Sequence, residues 1–457
     1  MSRRAQRVAV AAAPVAPRTT GRGLVGNLAS GRVDAAGTYV LQVGSLGLGF
    51  LSQLAVARLA GISGYGTYSY ALAWSAMVVQ PSLLGLDRVL IRELATYRQA
   101  RAFGLMRGLL RRSDQVAVVV AVAFAALVAA VALPVSDSAM RASVALGLLT
   151  IPLAALGRVR QAALQGLKHA SVAQLTQSVG RTVYFLVFIG AALAVAGSTH
   201  LHPETAVVMQ ALAFAAAVVT GSIAIRRVLP REVVRSAPEF EGRKWAKSLP
   251  PLAFLTALAI LNGQIGVIML GAMGSAADTG RFNAALRSAA LVSLALGAVG
   301  QVMAPRVSAL YATGDRRAIE RLLARGTRAA SVLALPPALF LTLVGAWFLG
   351  LFGHGFREGS TALAILVAGQ VFNAATGAVG MALVMTRHEK SVIMATVSGT
   401  CLNLVLCVLL IPGLGPTGAA TATAASMVLI NVLLMVAVVK KLQIRPTIFG
   451  ILLPTIT

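Results

Sequence analysis

Arg287 is the charged residue with the clearest chemical implication, because the apolar run around it is long enough to span a membrane. An arginine in the middle of a bilayer costs roughly 2.5–3.5 kcal/mol on insertion scales, so it requires compensation. Asn283 lies four residues earlier on the same helix face, and Gln301 returns to that face later. A guanidinium in a cavity would bind a pyrophosphate or an acidic sugar bidentately. Snorkelling to the outer headgroups is the alternative, and both interpretations stay open.

Carboxamide side chains recur in other apolar runs, where polar residues are costly and therefore informative. They could hydrogen-bond sugar hydroxyls in a hydrated cavity, or they could hold neighbouring helices together. The sequence leaves both roles open for each residue. Together with Arg287 and Asn283, the candidate binding residues are Gln42, Gln53, Arg58, Asn262, Gln264, Gln370 and Asn373.

No motif in the sequence predicts catalysis, and we expect a protein that is not an enzyme. The nucleotide-binding pattern G-x-x-x-x-G-K-[ST] is absent, so ATP hydrolysis is not expected. The five histidines are scattered in predicted loops. Cys401 and Cys407 are six residues apart in one apolar run, where they point to different faces of a helix. The sequence therefore predicts no metal and no cofactor.

The composition indicates that apolar helices position these residues. The chain of 457 residues is 57% hydrophobic and only 12% charged, whereas soluble domains carry about 25% charged residues. The net charge of +26 would suggest nucleic acid in a soluble protein. Here the basic residues lie in short segments between apolar runs, without a nucleic-acid-binding motif. We expect anionic membrane lipids, and no nucleic acid, as partners of these segments.

Apolar runs of about 17–25 residues can cross a bilayer as helices, and the sequence predicts twelve of them. Their predicted bounds are 37–57, 66–86, 115–133, 142–157, 182–197, 205–225, 251–273, 284–304, 329–350, 361–385, 391–411 and 417–439. With both termini in the cytoplasm, 35 of the 40 basic residues lie in inner segments and four lie in outer loops. Because a miscounted helix would invert this bias, we predict a multi-pass protein of the cell membrane with both termini cytoplasmic.

The chain contains an internal repeat. When Gly66 is placed opposite Gly280, the two halves align without a gap over about 50 positions, among them Arg92 with Arg306. A second, slightly larger shift pairs Leu164, Lys168 and His169 with Leu383, Arg387 and His388. Each half holds six predicted helices, so the repeat is parallel, with a pseudo-twofold axis along the membrane normal.

The predicted fold is an all-α membrane bundle of two pseudo-twofold-related six-helix lobes. Its predicted divisions are a disordered basic cytoplasmic tail over residues 1–34, an N-lobe over 35–225, a cytoplasmic linker over 226–250, a C-lobe over 251–440 and a C-terminal tail over 441–457. Two such lobes are typical of alternating-access transporters, which bind their substrate at the lobe interface. The alternative is a duplicated scaffold without transport.

Three short stretches carry a resemblance to a known family. They are ARLAGISGYGTY over residues 57–68, LGLD over 84–87 followed by IRE over 91–93, and IPGLGPTGAA over 411–420. In this order and spacing they resemble the polysaccharide flippases, the oligosaccharyl-lipid transporters of the MOP superfamily. That family is related to the MATE drug exporters and to the lipid II flippases. The resemblance covers residues 37–440.

The resemblance implies a polyprenyl-linked saccharide as substrate, flipped from the cytoplasmic to the outer leaflet for polysaccharide biosynthesis. It implies that helices one, two, seven and eight line the cavity, which favours Gln42, Gln53 and Arg287. A polysaccharide polymerase and glycosyltransferases would then be partners. One alternative is a MATE-like cation or drug antiporter, which would use buried carboxylates that the apolar runs lack. Another is a non-transporting scaffold of a polysaccharide synthase complex.

Overall fold

The computed structural model describes residues 21–197, 199–242, 245 and 251–444. This part of the chain is helical and contains no strand. Its helices are α1 (Gly21–Ser82), α2 (Leu86–Gln99), α3 (Phe103–Val135), α4 (Ser138–Leu148), α5 (Thr150–Gly166), α6 (Ala170–Ala196), α7 (Pro203–Val228), α8 (Arg231–Arg235), α9 (Pro251–Met273), α10 (Ala276–Ala312), α11 (Arg316–Leu343), α12 (Gly345–Gly350), α13 (Ser360–Thr376), α14 (Val379–Met385) and α15 (Glu389–Leu442). A 3₁₀ turn at Phe356–Gly359 precedes α13.

Nine helices in the described ranges are long and apolar enough to cross a membrane. The apolar part of α1 has 39 residues and α15 has 54, which is about 58 and 81 Å of helix, against about 30 Å of bilayer core. Each contains a glycine in the left-handed region, Gly61 with φ 70° and Gly415 with φ 51°. These breaks divide each helix into two crossings, and α9 adds a shorter apolar helix. The predicted count of twelve stays a prediction.

Helical structure extends further than the predicted spans. Helix α1 begins at Gly21, so residues 21–34 of the predicted disordered tail are helical, whereas residues 1–20 and 445–457 lie outside the described residues. The predicted loop over 158–181 is wrong in its extent. Helix α5 continues to Gly166 and α6 begins at Ala170. The prediction failed because polar residues were assigned to a loop, although most of them lie on α5 and α6. The lobe boundaries stay a prediction.

The turn between α5 and α6 recurs in the second half at the position that the repeat predicts. Lys168 has φ 65°, and Arg387, its counterpart in the repeat, has φ 62°. The residue after each closes the same hydrogen bond, from His169 N–H to Leu164 at 2.9 Å and from His388 N–H to Leu383 at 2.8 Å. Since such a φ is unfavourable for non-glycine residues, its recurrence confirms this part of the repeat.

The two halves meet through equivalent glycines. A Cβ atom on Gly66 would overlap the carbonyl oxygen of Ala276, and one on Gly280 would overlap the carbonyl oxygen of Ile62. The alignment that pairs Gly66 with Gly280 also pairs Ile62 with Ala276, so each half uses the same surface against the other. Reciprocal contacts of this kind arise on a twofold axis. Gly66 and Gly280 therefore let α1 and α10 approach closely beside the pseudo-symmetry axis.

The buried cores show that the halves pack together at one end. One apolar core contains residues of both halves, including Tyr65 and Phe282 near the paired glycines. A second core, which includes Met303, Val307 and Leu323, is made of C-half residues alone. At this second end α2 packs on α3 and α5, and α10 packs on α11 and α14, each within its own half. The described bundle is thus packed across the halves at the Gly66–Gly280 end and separated at the other end.

Candidate functional site

A hydrogen-bonded network joins α1 and α10 where the halves meet. The side-chain amide of Asn283 donates to the Tyr65 hydroxyl at 2.9 Å and to Ser69 Oγ at 2.8 Å. The Tyr65 hydroxyl donates to Gln53 Oε1 at 3.2 Å. Tyr65, Ser69 and Asn283 are buried. Ser69 and Asn283 occupy equivalent positions in the repeat, so their direct contact also fits a twofold axis.

The network extends into the N-half through Tyr68. Its buried hydroxyl donates to Gln210 Oε1 of α7 at 3.1 Å, and its ring stacks on Phe185 of α6 with the centroids 6.2 Å apart. Four helices therefore fix the tyrosines of the GYGTY stretch. Because a buried hydroxyl without a partner is costly, these bonds hold both phenol groups in defined positions.

Two arginines on different helices lie within electrostatic range of these tyrosines, and a third, Arg158 of α5, lies within range of one of those arginines. Arg287 of α10 is one turn beyond Asn283, and its charge acts on the hydroxyls of Tyr65 and Tyr68. Arg181 of α6 also acts on Tyr68, and the charges of Arg181 and Arg158 act on each other. The guanidinium carbon of Arg181 lies 4.9 Å from the ring centroid of Phe214.

The three arginines form no salt bridge with a carboxylate in the described part of the chain. Arg158 contacts a neutral side chain, with Nη1 3.5 Å from Gln161 Oε1, and Asp87 acts on it electrostatically without a salt bridge. Arg160, by contrast, pairs with Asp114. Uncompensated guanidinium groups inside apolar helices require water or an anionic ligand. Their forked geometry suits a phosphate or a carboxylate.

The structure brings together part of the predicted site. Gln53, Asn283 and Arg287 belong to the tyrosine network and its surroundings. Gln42 lies elsewhere, since eleven residues of helix separate it from Gln53 by about 16 Å. Arg58 instead joins the halves at the packed end, where its Nε donates to the carbonyl oxygen of Leu351 at 2.6 Å.

The other predicted carboxamides form a separate group in the C-half. Asn262, Gln370 and Asn373 line a cavity of about 700 Å³ together with Gln301, whereas Gln264 is not among its lining residues. Hydrogen bonds also hold neighbouring helices together here. Asn403 donates to Asn262 Oδ1 at 3.0 Å. These residues therefore both bridge helices and line a cavity, so the two roles considered from the sequence are compatible.

Arg158 and Arg181 are site residues that the sequence interpretation missed, because it placed both in a cytoplasmic loop. The repeat already contained the corrective signal. The counterparts of Lys168 and His169 in the C-half lie in a predicted loop that covers only residues 386–390, so a short loop was expected in the N-half as well. An equally short turn in the N-half leaves Arg158 about 12 Å from the end of α5 and Arg181 about 17 Å from the start of α6.

The fold defines the class of protein first: a multi-pass α-helical membrane protein built from two related halves, with a network of tyrosines and carboxamides where they meet. The particular family follows from its sequence. The chain belongs to the polysaccharide biosynthesis protein family, whose model matches residues 34–311. This confirms the family resemblance.

Two curated relatives come from the archaeon Haloferax volcanii. "Probable flippase AglR" is 31% identical over 190 residues, which cover 41% of this chain and 40% of that protein. "Probable low-salt glycan biosynthesis flippase Agl15" is 27% identical over 168 residues, which cover 36% of each chain. The chain thus aligns with about two fifths of the length of these relatives.

Solved structures confirm the fold class. An inward-facing multidrug resistance MATE family transporter of the MOP superfamily superposes with a TM-score of 0.70 at 14% identity, covering 87% of this chain and 94% of that one. The lipid II flippase MurJ, in an inward closed conformation, superposes with a TM-score of 0.65 at 14% identity, covering 88% and 87%. At such identities the likeness establishes the fold alone.

Proposed function

We propose that this protein moves a lipid-linked saccharide across the membrane by alternating access, for polysaccharide biosynthesis. The observation that carries the proposal is the group of Arg181 and Arg287 beside one tyrosine pair with Arg158 near Arg181, three guanidinium groups that form no salt bridge among the described residues. The flippase names of the two archaeal relatives agree with it.

The chemistry of a lipid-linked saccharide matches this group. A diphosphate carries its charge between a polyprenyl tail, which is soluble in the bilayer, and a sugar, which is not. Three arginines can neutralise that charge with charge-assisted hydrogen bonds, so the diphosphate need not keep its full hydration during passage. The bonds of Asn283 to Tyr65 and Ser69 position α1 and α10 around the bound group.

The separated end of the bundle gives the direction of access. The basic segments 87–114 and 305–328 lie at that end, and the positive-inside rule assigns them to the cytoplasm. On this assignment the structure is closed toward the outside, at the Gly66–Gly280 contact, and accessible from the cytoplasm. We infer that it represents the state that admits substrate at the cell membrane, with both termini cytoplasmic.

Two other functions are less compatible with the site. A cation or drug antiporter is suggested by the fold it shares with the MATE transporter, but a cation would be repelled by three arginines. A scaffold without transport would not require a cavity of about 700 Å³ beside the interface. Anionic lipids at the basic inner segments, and a polymerase or glycosyltransferases that supply or use the saccharide, are the partners that the proposal implies.

Transport in proteoliposomes tests the proposal. A polyprenyl-diphospho-sugar is placed in vesicles with the purified protein, and the sugar that reaches the opposite leaflet is cleaved by an added glycosidase. Arg158→Gln, Arg181→Gln and Arg287→Gln should each slow the exposure of sugar by at least about tenfold, the value of one charge-assisted hydrogen bond. Arg226→Gln is the matched control, because Arg226 lies in the last turn of α7, about 24 Å along the helix from Gln210 of the tyrosine network. Equal rates in all four variants would refute the proposed role of the arginines.

A further inference from the structure

The cavity in the C-half is neutral and rich in carboxamides. It lies between α9, α10, α13, α14 and the second part of α15, with a volume of about 700 Å³, within the range of small-molecule sites. No charged residue is among its described lining residues. Its polar lining residues are Asn262, Gln301, Gln370, Asn373, Thr423 and Asn431. This composition differs sharply from the arginine group next to it.

Several polar atoms of this lining lack a protein partner among the described residues. Thr423 is only 8% exposed, yet its hydroxyl has no hydrogen bond. Gln301 is exposed toward the cavity and makes no side-chain hydrogen bond in the described structure. Gln370 Oε1 has only a contact of 3.5 Å with Asn373 Nδ2. Since a hydroxyl and a carboxamide each both donate and accept, the cavity offers unused groups of both kinds.

The lining residues also determine which class of ligand the cavity can bind. A cation would require carboxylates and a phosphate would require basic side chains, and the described lining has neither. Neutral donors and acceptors beside Leu286, Leu296 and Met427 fit an uncharged ligand with many hydroxyls and apolar C–H faces. Because Leu286 immediately precedes Arg287, the cavity begins next to the arginine group.

We propose that this cavity binds the uncharged sugar part of the lipid-linked saccharide, while the arginines hold its diphosphate. The assignment rests on the proposed function and adds a second subsite to it. Gln301, Thr423 and Gln370 are then the residues that distinguish a sugar-bearing lipid from the bare carrier. The substrate spans the boundary between the halves, with its charge on the arginines and its hydroxyls in the C-half.

Binding to the purified protein in nanodiscs tests the subsite. The Kd of polyprenyl diphosphate is compared with the Kd of the same lipid bearing glucose, galactose, mannose or N-acetylglucosamine. The wild-type protein should bind at least one of these sugar-lipids roughly tenfold tighter than the bare lipid, as expected from one or two added hydrogen bonds. The double variant Gln301→Met with Thr423→Val should lose that preference and keep its affinity for the bare lipid.

The variants are chosen to preserve folding. Neither replaced side chain makes a hydrogen bond in the described structure, and the bonds that join helices through Asn403 and Asn431 remain. Gln264→Met is the matched control, because Gln264 lies on α9 outside the cavity lining, and it should keep the preference.

Each outcome separates this inference from the function on which it rests. If wild-type protein binds bare and sugar-bearing lipids equally, or if the double variant keeps the preference, the sugar subsite is refuted and the diphosphate site stands. If wild-type protein binds none of the lipids, the proposed function fails and the subsite fails with it. Arg287→Gln should weaken all the lipids alike, including the bare carrier.

Discussion

Asn283 is the residue whose removal best tests the packed end of the bundle. It lies on α10 of the C-half and donates to Tyr65 and Ser69, both on α1 of the N-half. Asn283→Ala removes both bonds across the halves. Tyr65 keeps its bond to Gln53, whereas Ser69 Oγ loses its side-chain bond to the opposite half.

The magnitude follows from these bonds. When the packed end opens, water replaces the lost partners, so each bond contributes a net of about 0.5–1.5 kcal/mol to the packed arrangement. Two bonds therefore amount to about 1–3 kcal/mol, which is a change of about 5- to 150-fold in the ratio of separated to packed molecules. Ser69→Ala should add little to Asn283→Ala, because both variants remove the same Ser69–Asn283 interaction.

A distance measurement between the halves reports this ratio. Spin labels are attached to cysteines at Ser63 and His354, which are exposed near the packed end on opposite halves, in a protein whose native Cys401 and Cys407 are replaced by serine. Double electron–electron resonance should show a longer-distance population that grows in Asn283→Ala.

The control is a buried carboxamide that does not cross the halves. Asn403 is fully buried and donates to Asn262, another residue of the C-half. Asn403→Ala should lower the thermal midpoint without changing the distance distribution. If Asn283→Ala behaves like Asn403→Ala, with lower stability and an unchanged distribution, the network does not hold the halves together and the reasoning fails.

Three further predictions use the same molecule. Gly66→Ala and Gly280→Ala should each enlarge the separated population, because the added Cβ overlaps a backbone carbonyl of the opposite half; an unchanged distance distribution would contradict this. Arg287→Lys should keep part of the transport rate by its charge, while Arg287→Gln loses most of it at equal protein abundance, because only arginine can pair bidentately; full transport by Arg287→Gln would remove this residue from the site. Lys168→Gly and Arg387→Gly should each stabilise the protein by about 0.5–1 kcal/mol in thermal unfolding, because both residues have positive φ and glycine avoids that cost; a lower midpoint in either variant would contradict the strain argument.

The sequence predicted the fold class because a lipid environment strongly constrains the composition of the segments that cross it. A deficit of charge and long apolar runs predict helices in a membrane, and the repeat predicts two related halves. The repeat predicted the equivalence of Lys168 and Arg387, and this succeeded because each residue lies in a turn whose conformation is set by the local backbone. The sequence did not predict which polar residues lie on the membrane-spanning helices and which lie in loops. Arg158 and Arg181 resemble loop residues in a hydropathy profile, and only the structure shows that both lie on helices, with Arg181 packed over Phe214.

The sequence also did not predict the contacts between the two halves, because no local sequence pattern indicates them. Arg58 was considered for the site because of its charge, but it bonds the carbonyl oxygen of Leu351 in the opposite half. Gln42 and Gln53 share one helix and one residue type, yet only Gln53 meets Tyr65. The side chain that a helix presents to the opposite half depends on the crossing point of α1 and α10. That point is set by Gly66 and Gly280, whose close approach emerges only in three dimensions.

The repeat also explains why the two halves differ in charge. The alignment that pairs Lys168 with Arg387 places Arg158 opposite Gly377, a residue that lines the neutral cavity. The π-helical turn Leu175–Val179 adds one residue to the N-half. Beyond it the shift between the halves is therefore one residue smaller, which superposes the left-handed Gly197 and Gly415.

With that smaller shift Arg181 stands opposite Gly399, so both N-half arginines correspond to glycines in the C-half. A glycine in place of an arginine removes a charge and a long side chain together, and in the C-half the side chains of Thr327 and Ile430 pack where a Cβ of Gly377 or Gly399 would lie. Divergence of one duplicated scaffold can thus produce a charged subsite in one half and a neutral one in the other. A substrate with a charged linkage and an uncharged sugar requires that asymmetry. A transporter for a small cation or a uniformly charged solute does not.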